Sequence, residues 1–180
     1  VALMADGAMD RAIEPTDERA HAGITCRTCH SIVHSEPDGN GSYTLTGAPI
    51  PIPAKDDAAG IAAHIARVAP PELRSFASCT GCHRAFLDTS TGNTHQLVGQ
   101  DDVTPWQRSA YAGSELHLVD EELPAQDCRG CHMPLEEAIL GDAAATLGKV
   151  ASHRFLGGHT WLAAIRGDRN TVARTQAFLK

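Results

Sequence analysis

CRTCH (26–30), CTGCH (79–83) and CRGCH (128–132) contain all six cysteines of this 180-residue chain and three of its ten histidines. How this repeated pattern is read decides the fold. Two thiols three positions apart on a helical turn can add to the two vinyl groups of a porphyrin as thioethers. The histidine that follows can then place its imidazole under the iron as proximal ligand, and C-x-x-C-H is the attachment signature of c-type haem. On this reading Cys26, Cys29, Cys79, Cys82, Cys128 and Cys131 bind three haems covalently, and His30, His83 and His132 are the proximal ligands.

Three other chemistries use C-x-x-C, and each fits less well. Zinc sites combine such pairs in twos to reach four ligands, which leaves one of three pairs over. A thioredoxin-like redox site needs one pair between a strand and a helix rather than three. A disulfide between cysteines this close is strained and does little to staple a fold. At the overall rate of 10 histidines in 180 residues, one directly after every pair has a chance on the order of 1 in 6000, so the haem reading is preferred.

Composition agrees with it. Only 4% of the residues are aromatic, a thin supply for a core of this size, and three large flat apolar macrocycles would fill the deficit. The net charge of −7 argues against a nucleic-acid-binding surface and for basic partners. No apolar run approaches the roughly 18 residues that a membrane span needs. Covalent haem attachment takes place outside the cytoplasm, so the chain is expected to be exported, to a periplasm or beyond the cell. The opening VALMADGAMDR lacks an initiator Met and NTVARTQAFLK ends without a terminator, so both ends are read as cut.

The first cysteines of the motifs lie 53 and then 49 positions apart, one haem per segment of about 50 residues (1–55, 56–103 and 104–180), with no other obvious repeat. Each segment is expected to run a short helix into its motif and then a loop. SEPDGNGSYTLTGAPIPIPAKDD reads as turn and extended chain, with a short ribbon at SYTL. DDAAGIAAHIARVAPP reads as a helix capped by Asp56 or Asp57 and stopped by Pro70 and Pro71, with Ile61, His64, Ile65 and Val68 on one face. TPWQRSAYAG predicts a helix with Thr104 as N-cap, Pro105 at N1 and Gly113 as the stop, and Trp106 packed on a macrocycle. PLEEAIL predicts another helix beginning at Pro134, and NTVARTQAFLK one capped by Asn170.

Seven histidines remain for at most three further iron positions. His64 faces the interior of its helix and His153 leads into Phe155 and Leu156, which could cover a porphyrin; these are the strongest distal candidates. His21 follows, on a flexible Ala-Gly step before the first motif. His34, one turn after His30 if the helix continues, and His159, just before a Thr160-capped helix, are weaker. His95 in a polar loop and His117 on the solvent side of an extended segment rank lower still.

The stretches GITCRTCHSIVH with GNGSYTL, PWQRSAYAG before QDCRGCHMP, and SHRFLGG followed by GD and TQAFLK cover most of the chain. In them it resembles bacterial multihaem cytochromes c, broadly akin to the tetrahaem cytochromes of nitrification. The resemblance implies stacked haems, electron transfer and mostly histidine–histidine ligation, and it favours His64 and His153 as distal ligands. Such proteins carry a further C-x-x-C-H before a stretch like VALMADGAMDR and a β-rich region after the FLK helix, which implies a fragment of a longer chain. Some have a histidine where this chain has Tyr111, so no ligand is expected from that position.

The expectation is therefore a mainly α, haem-organised domain over 1–180, with much irregular structure and short helices around three stacked haems. Its expected work is electron transfer along closely spaced bis-histidine haems, with redox proteins bearing basic docking surfaces, or further haem domains, as partners. Two alternatives stand beside it: a multihaem reductase or oxidase of small nitrogen or sulfur compounds with one open iron, and a haem-bearing structural subunit of a larger complex or filament. No compact constellation of acid and base groups identifies a substrate.

Overall fold

The structure, a computed structural model, describes residues 14, 16–17, 24–113, 123–139, 141–157 and 160–180. It divides into two compact units, 1–103 and 104–180. The first contains the CRTCH and CTGCH motifs and the second contains CRGCH.

One local arrangement occurs three times. Each C-x-x-C-H forms the end or the whole of a short helix: α1 (Cys26–His30), α3 (Ala77–His83) and α5 (Cys128–His132). Each helix runs into the first strand of a two-stranded antiparallel ribbon rather than into a loop. β1 (Ile32–Ser35) pairs with β2 (Tyr43–Leu45), β3 (Arg84–Leu87) with β4 (Leu97–Asp101), and β5 (Leu135–Glu137) with β6 (Lys149–Ala151). The expected ribbon at SYTL is β2. Because an antiparallel partner returns toward its starting point, the exit of each ribbon runs back beside the motif it left.

α2 (Ala58–Val68) fills the connection after the first ribbon, and the Asp57 carboxylate caps it by accepting from Gly60 N at 2.9 Å. Pro70 and Pro71 end it in a 3-10 turn over Pro71–Arg74. The chain between β2 and α2, which holds Pro49, Pro51 and Pro53, has no regular structure, as proline's missing N–H requires.

Four local expectations are corrected. α4 (Val103–Arg108) starts directly off β4, before Thr104, because the apolar Val103 is buried there at 4% exposure, so Thr104 is inside the helix and is not its cap. Gly113, at φ +83°, is the left-handed stop, but it ends the 3-10 turn Ala110–Ala112 that follows α4. The segment after Pro134 is strand β5 and not a helix, because β6 and the Ser152 N–H, which donates to Pro134 O at 2.9 Å, satisfy its backbone as a ladder. α6 (Thr160–Ile165) and α7 (Arg169–Phe178) close the second unit. α7 is capped by Asp168, which accepts from Thr171 N at 3.0 Å, while Asn170 instead accepts from Arg174 Nε at 2.9 Å.

The turn of the first ribbon is locked onto the second motif. Asn40 N donates to Arg84 O and Gly41 N to Gly81 O, both at 2.8 Å, and the Asn40 side chain accepts from Phe86 N at 2.8 Å. Gly39 adopts φ +90°, and a Cβ there would strike the Arg84 backbone and come within 2.9 Å of its Cβ. Buried apolar side chains among the described residues are few and small: Ile32, Ala77, Val103 and Ala163. Ser31 and Thr80, each inside or next to a motif, are fully buried.

Gly39→Ala is expected to lower the denaturant midpoint of the first unit, by about 1–3 kcal/mol of strain before the contact with Arg84 is counted, with the slope unchanged. Asp168 predicts a pH effect. The Thr171 backbone and hydroxyl hydrogen bonds hold its carboxyl below the ordinary aspartate value. Its cap therefore stabilises α7 above the unfolded pKa and is lost as pH falls through the lower folded one. Asp168→Asn should flatten the acid limb of α7 unfolding followed by circular dichroism.

Candidate functional site

Two of the motif imidazoles are held at Nδ1 by oxygens that the returning ribbon strands deliver. His83 Nδ1 lies 2.9 Å from Asp102 Oδ2, and Asp102 is the residue after β4, itself tied back by its N–H to His83 O at 3.0 Å. His132 Nδ1 lies 2.7 Å from Leu156 O, in the segment leaving β6. A carbonyl or carboxylate oxygen can only accept, so Nδ1 is the donor in both. Nε2 is then the nitrogen with the lone pair, the form in which a histidine ligates a metal.

His64 is arranged in the same manner. Its Nδ1 donates to Pro51 O at 2.8 Å, so its Nε2 is also the lone-pair nitrogen. The side chain is half-buried on α2.

Around the first motif the groups are different. Arg27 donates to Gly47 O at 2.9 Å, and Arg67 to Ser31 Oγ at 3.2 Å and Ala48 O at 3.1 Å. The Nε atoms of both guanidinium groups are buried without a partner, and His30 Nδ1 is also shielded from solvent. Two half-buried guanidinium groups beside one motif fit an anionic ligand group such as a carboxylate.

None of the six cysteines is joined to another in a disulfide. Packing pushes the Cys29 thiol pKa up, and then Cys82, Cys79 and Cys26 push it further by like charge. These neighbours put the two cysteine pairs of the first unit within mutual electrostatic range. Tyr43 joins them; desolvation, then the charge and hydrogen bond of Cys82, raise its pKa, and its ring lies where a Cβ on Gly81 would be at 2.7 Å. Among the described residues no group of three or more His, Cys, Asp or Glu is arranged to hold a single metal ion.

In the second unit an open groove of about 440 Å³ adjoins the third motif, lined by Trp106, Tyr111, Gln126, Asp127 and Gly130 among others. Trp106 Nε1 donates to Gln126 O at 2.8 Å and Cys131 Sγ lies 3.0 Å from Gln126 Oε1, so one residue ties the aromatic wall to the motif.

The other sequence candidates fall as follows. His34 lies on β1, not on a continued helix, since α1 ends at His30; its Nε2 is 2.7 Å from Glu36 Oε1. His153 is exposed and meets Phe155 edge-on at 6.2 Å between ring centroids. His95 is exposed. His21, His117 and His159 lie outside the described residues. Sequence reasoning missed Asp102, Leu156 and Pro51 as acceptors. Two of them act through backbone carbonyls, which no residue type advertises.

Gly157 completes the His132 support. It adopts φ +100°, and a Cβ there would come within 2.9 Å of the Phe178 ring and 3.4 Å of His132 Cε1. Gly157→Ala is expected to cost the second unit about 1–3 kcal/mol. Adding Phe178→Leu should recover only the contact, not the backbone strain, in a denaturant titration of the double variant.

Compared with known proteins, the chain matches no family model, no curated protein and no solved structure. Among the described residues no helix is long and apolar enough to cross a membrane.

Proposed function

We propose that the chain carries three covalent c-type haems and transfers electrons among them. The observation that carries this reading is the donor geometry. Beside each of two C-x-x-C pairs, the following histidine has its Nδ1 proton given to a chain oxygen, and Nε2 is left as the ligating nitrogen.

Each part of the chain then has a task. The paired thiols supply the sulfurs of the thioether links: Cys26 and Cys29, Cys79 and Cys82, Cys128 and Cys131. His30, His83 and His132 are the proximal ligands, and His64, with Nδ1 anchored by Pro51, is the best-supported distal one. His153 remains a distal candidate on the sequence reading. Arg27 and Arg67 suit the propionates of the first haem. When bound, the haem irons supply one-electron couples between ferric and ferrous states. Bis-histidine ligation places them lower in potential than histidine–methionine ligation would.

Two further observations support the reading. The mutual influence of Cys29, Cys79 and Cys82 supports close spacing of the first two haems. The short supply of buried apolar side chains supports a prosthetic group as the missing apolar body. We further propose an exported protein whose acidic surface meets basic redox partners in weak, salt-sensitive encounters.

A pyridine haemochrome assay should return three c-type haems per chain, and two after Cys128→Ser with Cys131→Ser. Fewer than three in the unaltered protein would sink the reading. Oxidised protein should give low-spin EPR signals, with His64→Ala adding one high-spin component. An unchanged spectrum in that variant would remove His64 as a ligand.

A further inference from the structure

The two anchored motif histidines differ in what holds them. His132 donates to a neutral carbonyl, Leu156 O, whereas His83 donates to a side-chain carboxylate, Asp102. The carboxylate is itself fixed, since Gln100 Nε2 donates to the same Oδ2 at 2.8 Å and the Asp102 N–H is bound to His83 O. An anionic acceptor makes an imidazole a stronger donor to the metal on its other nitrogen, and such outer partners tune the metal they support.

Resting on the haem reading above, we propose that Asp102 is a positioning residue that lowers the reduction potential of the iron held by His83. When one electron from a donor redox protein converts that iron from ferric to ferrous, no bond is broken. The carboxylate favours the more positive ferric state, so the electron is held less tightly there and passes on more readily. Both side chains are more than half exposed in the polypeptide (61% and 62%), so solvent screening limits the effect to about tenfold in the electron-exchange equilibrium.

The experiment is spectropotentiometry of the three-haem protein. Asp102→Asn keeps the shape and an accepting oxygen but removes the charge. One of the three midpoints should rise by up to about 59 mV, the equivalent of tenfold for a one-electron couple, and the other two should stay. Asp102→Glu should recover part of the shift. Asp101→Asn is the control: its carboxylate faces Arg84, at 4.0 Å, and removes the same charge without touching His83.

No shift in Asp102→Asn, or an equal shift in Asp101→Asn, would overturn the proposal while leaving the haem reading intact. Where Asp102→Asn fails to take up haem, Gln100→Ala decides. Removing the competing donor leaves more of the carboxylate's charge on His83, so the same midpoint should fall; a rise or no change overturns the assignment. Fewer than three haems in the unaltered protein would instead remove the reading on which the proposal rests.

Discussion

An imidazole has two nitrogens and, when neutral, one proton between them. A fold that needs one nitrogen as a ligand must therefore find an acceptor for the other. For His83 and His132 the acceptor comes from outside the motif. Asp102 lies 19 residues beyond His83 and Leu156 lies 24 beyond His132, yet both stand within hydrogen-bond reach. The antiparallel ribbon closes that distance, because the strand that leaves the motif is paired with one that returns to it. The ribbons are too short to be independently stable; their contribution is to aim the exit of the second strand.

The same economy appears in what is buried. With Ile32, Ala77, Val103 and Ala163 as the buried apolar side chains among the described residues, the two units have little of the contiguous hydrophobic interior that ordinarily offsets chain entropy. What holds the described parts together is directional: the turn amides of Asn40 and Gly41 on the CTGCH helix, Arg27 and Arg67 on the carbonyls of Gly47 and Ala48, and Trp106 on Gln126. Such bonds fix geometry well but contribute about 1 kcal/mol each net.

Features written in single residue types were legible in the sequence. Asp57 caps α2 because only a short acceptor side chain suits that position, and Gly113 stops its turn because left-handed backbone favours glycine. The motif helices follow from the spacing of their cysteines. The ribbons are not legible beyond SYTL: their strands are three to five residues long, mostly exposed, and follow no common sequence pattern among the three copies. PLEEAIL has sound helix chemistry, yet its Leu135–Glu137 forms a strand, because a partner across the ribbon outweighs local propensity. SHRFLGG was valued for His153, whereas its best-defined contact is the carbonyl of Leu156 on His132.

The repeat is nevertheless not modular. In the first unit the turn of one ribbon, Gly39–Gly41, is bonded to the next motif at Gly81 and Arg84, and Tyr43 lies against the same helix beside Cys82. A change at the turn of the first copy is therefore felt at the motif of the second. The CRGCH copy draws its support from α7 and the segment before α6 instead, through Phe178 and Gly157. One device, a helix feeding a ribbon that brings an acceptor back, is thus embedded in different surroundings. In one case the acceptor is a carboxylate, in another a carbonyl, and that difference in charge is the simplest means the fold has of making similar sites chemically unequal.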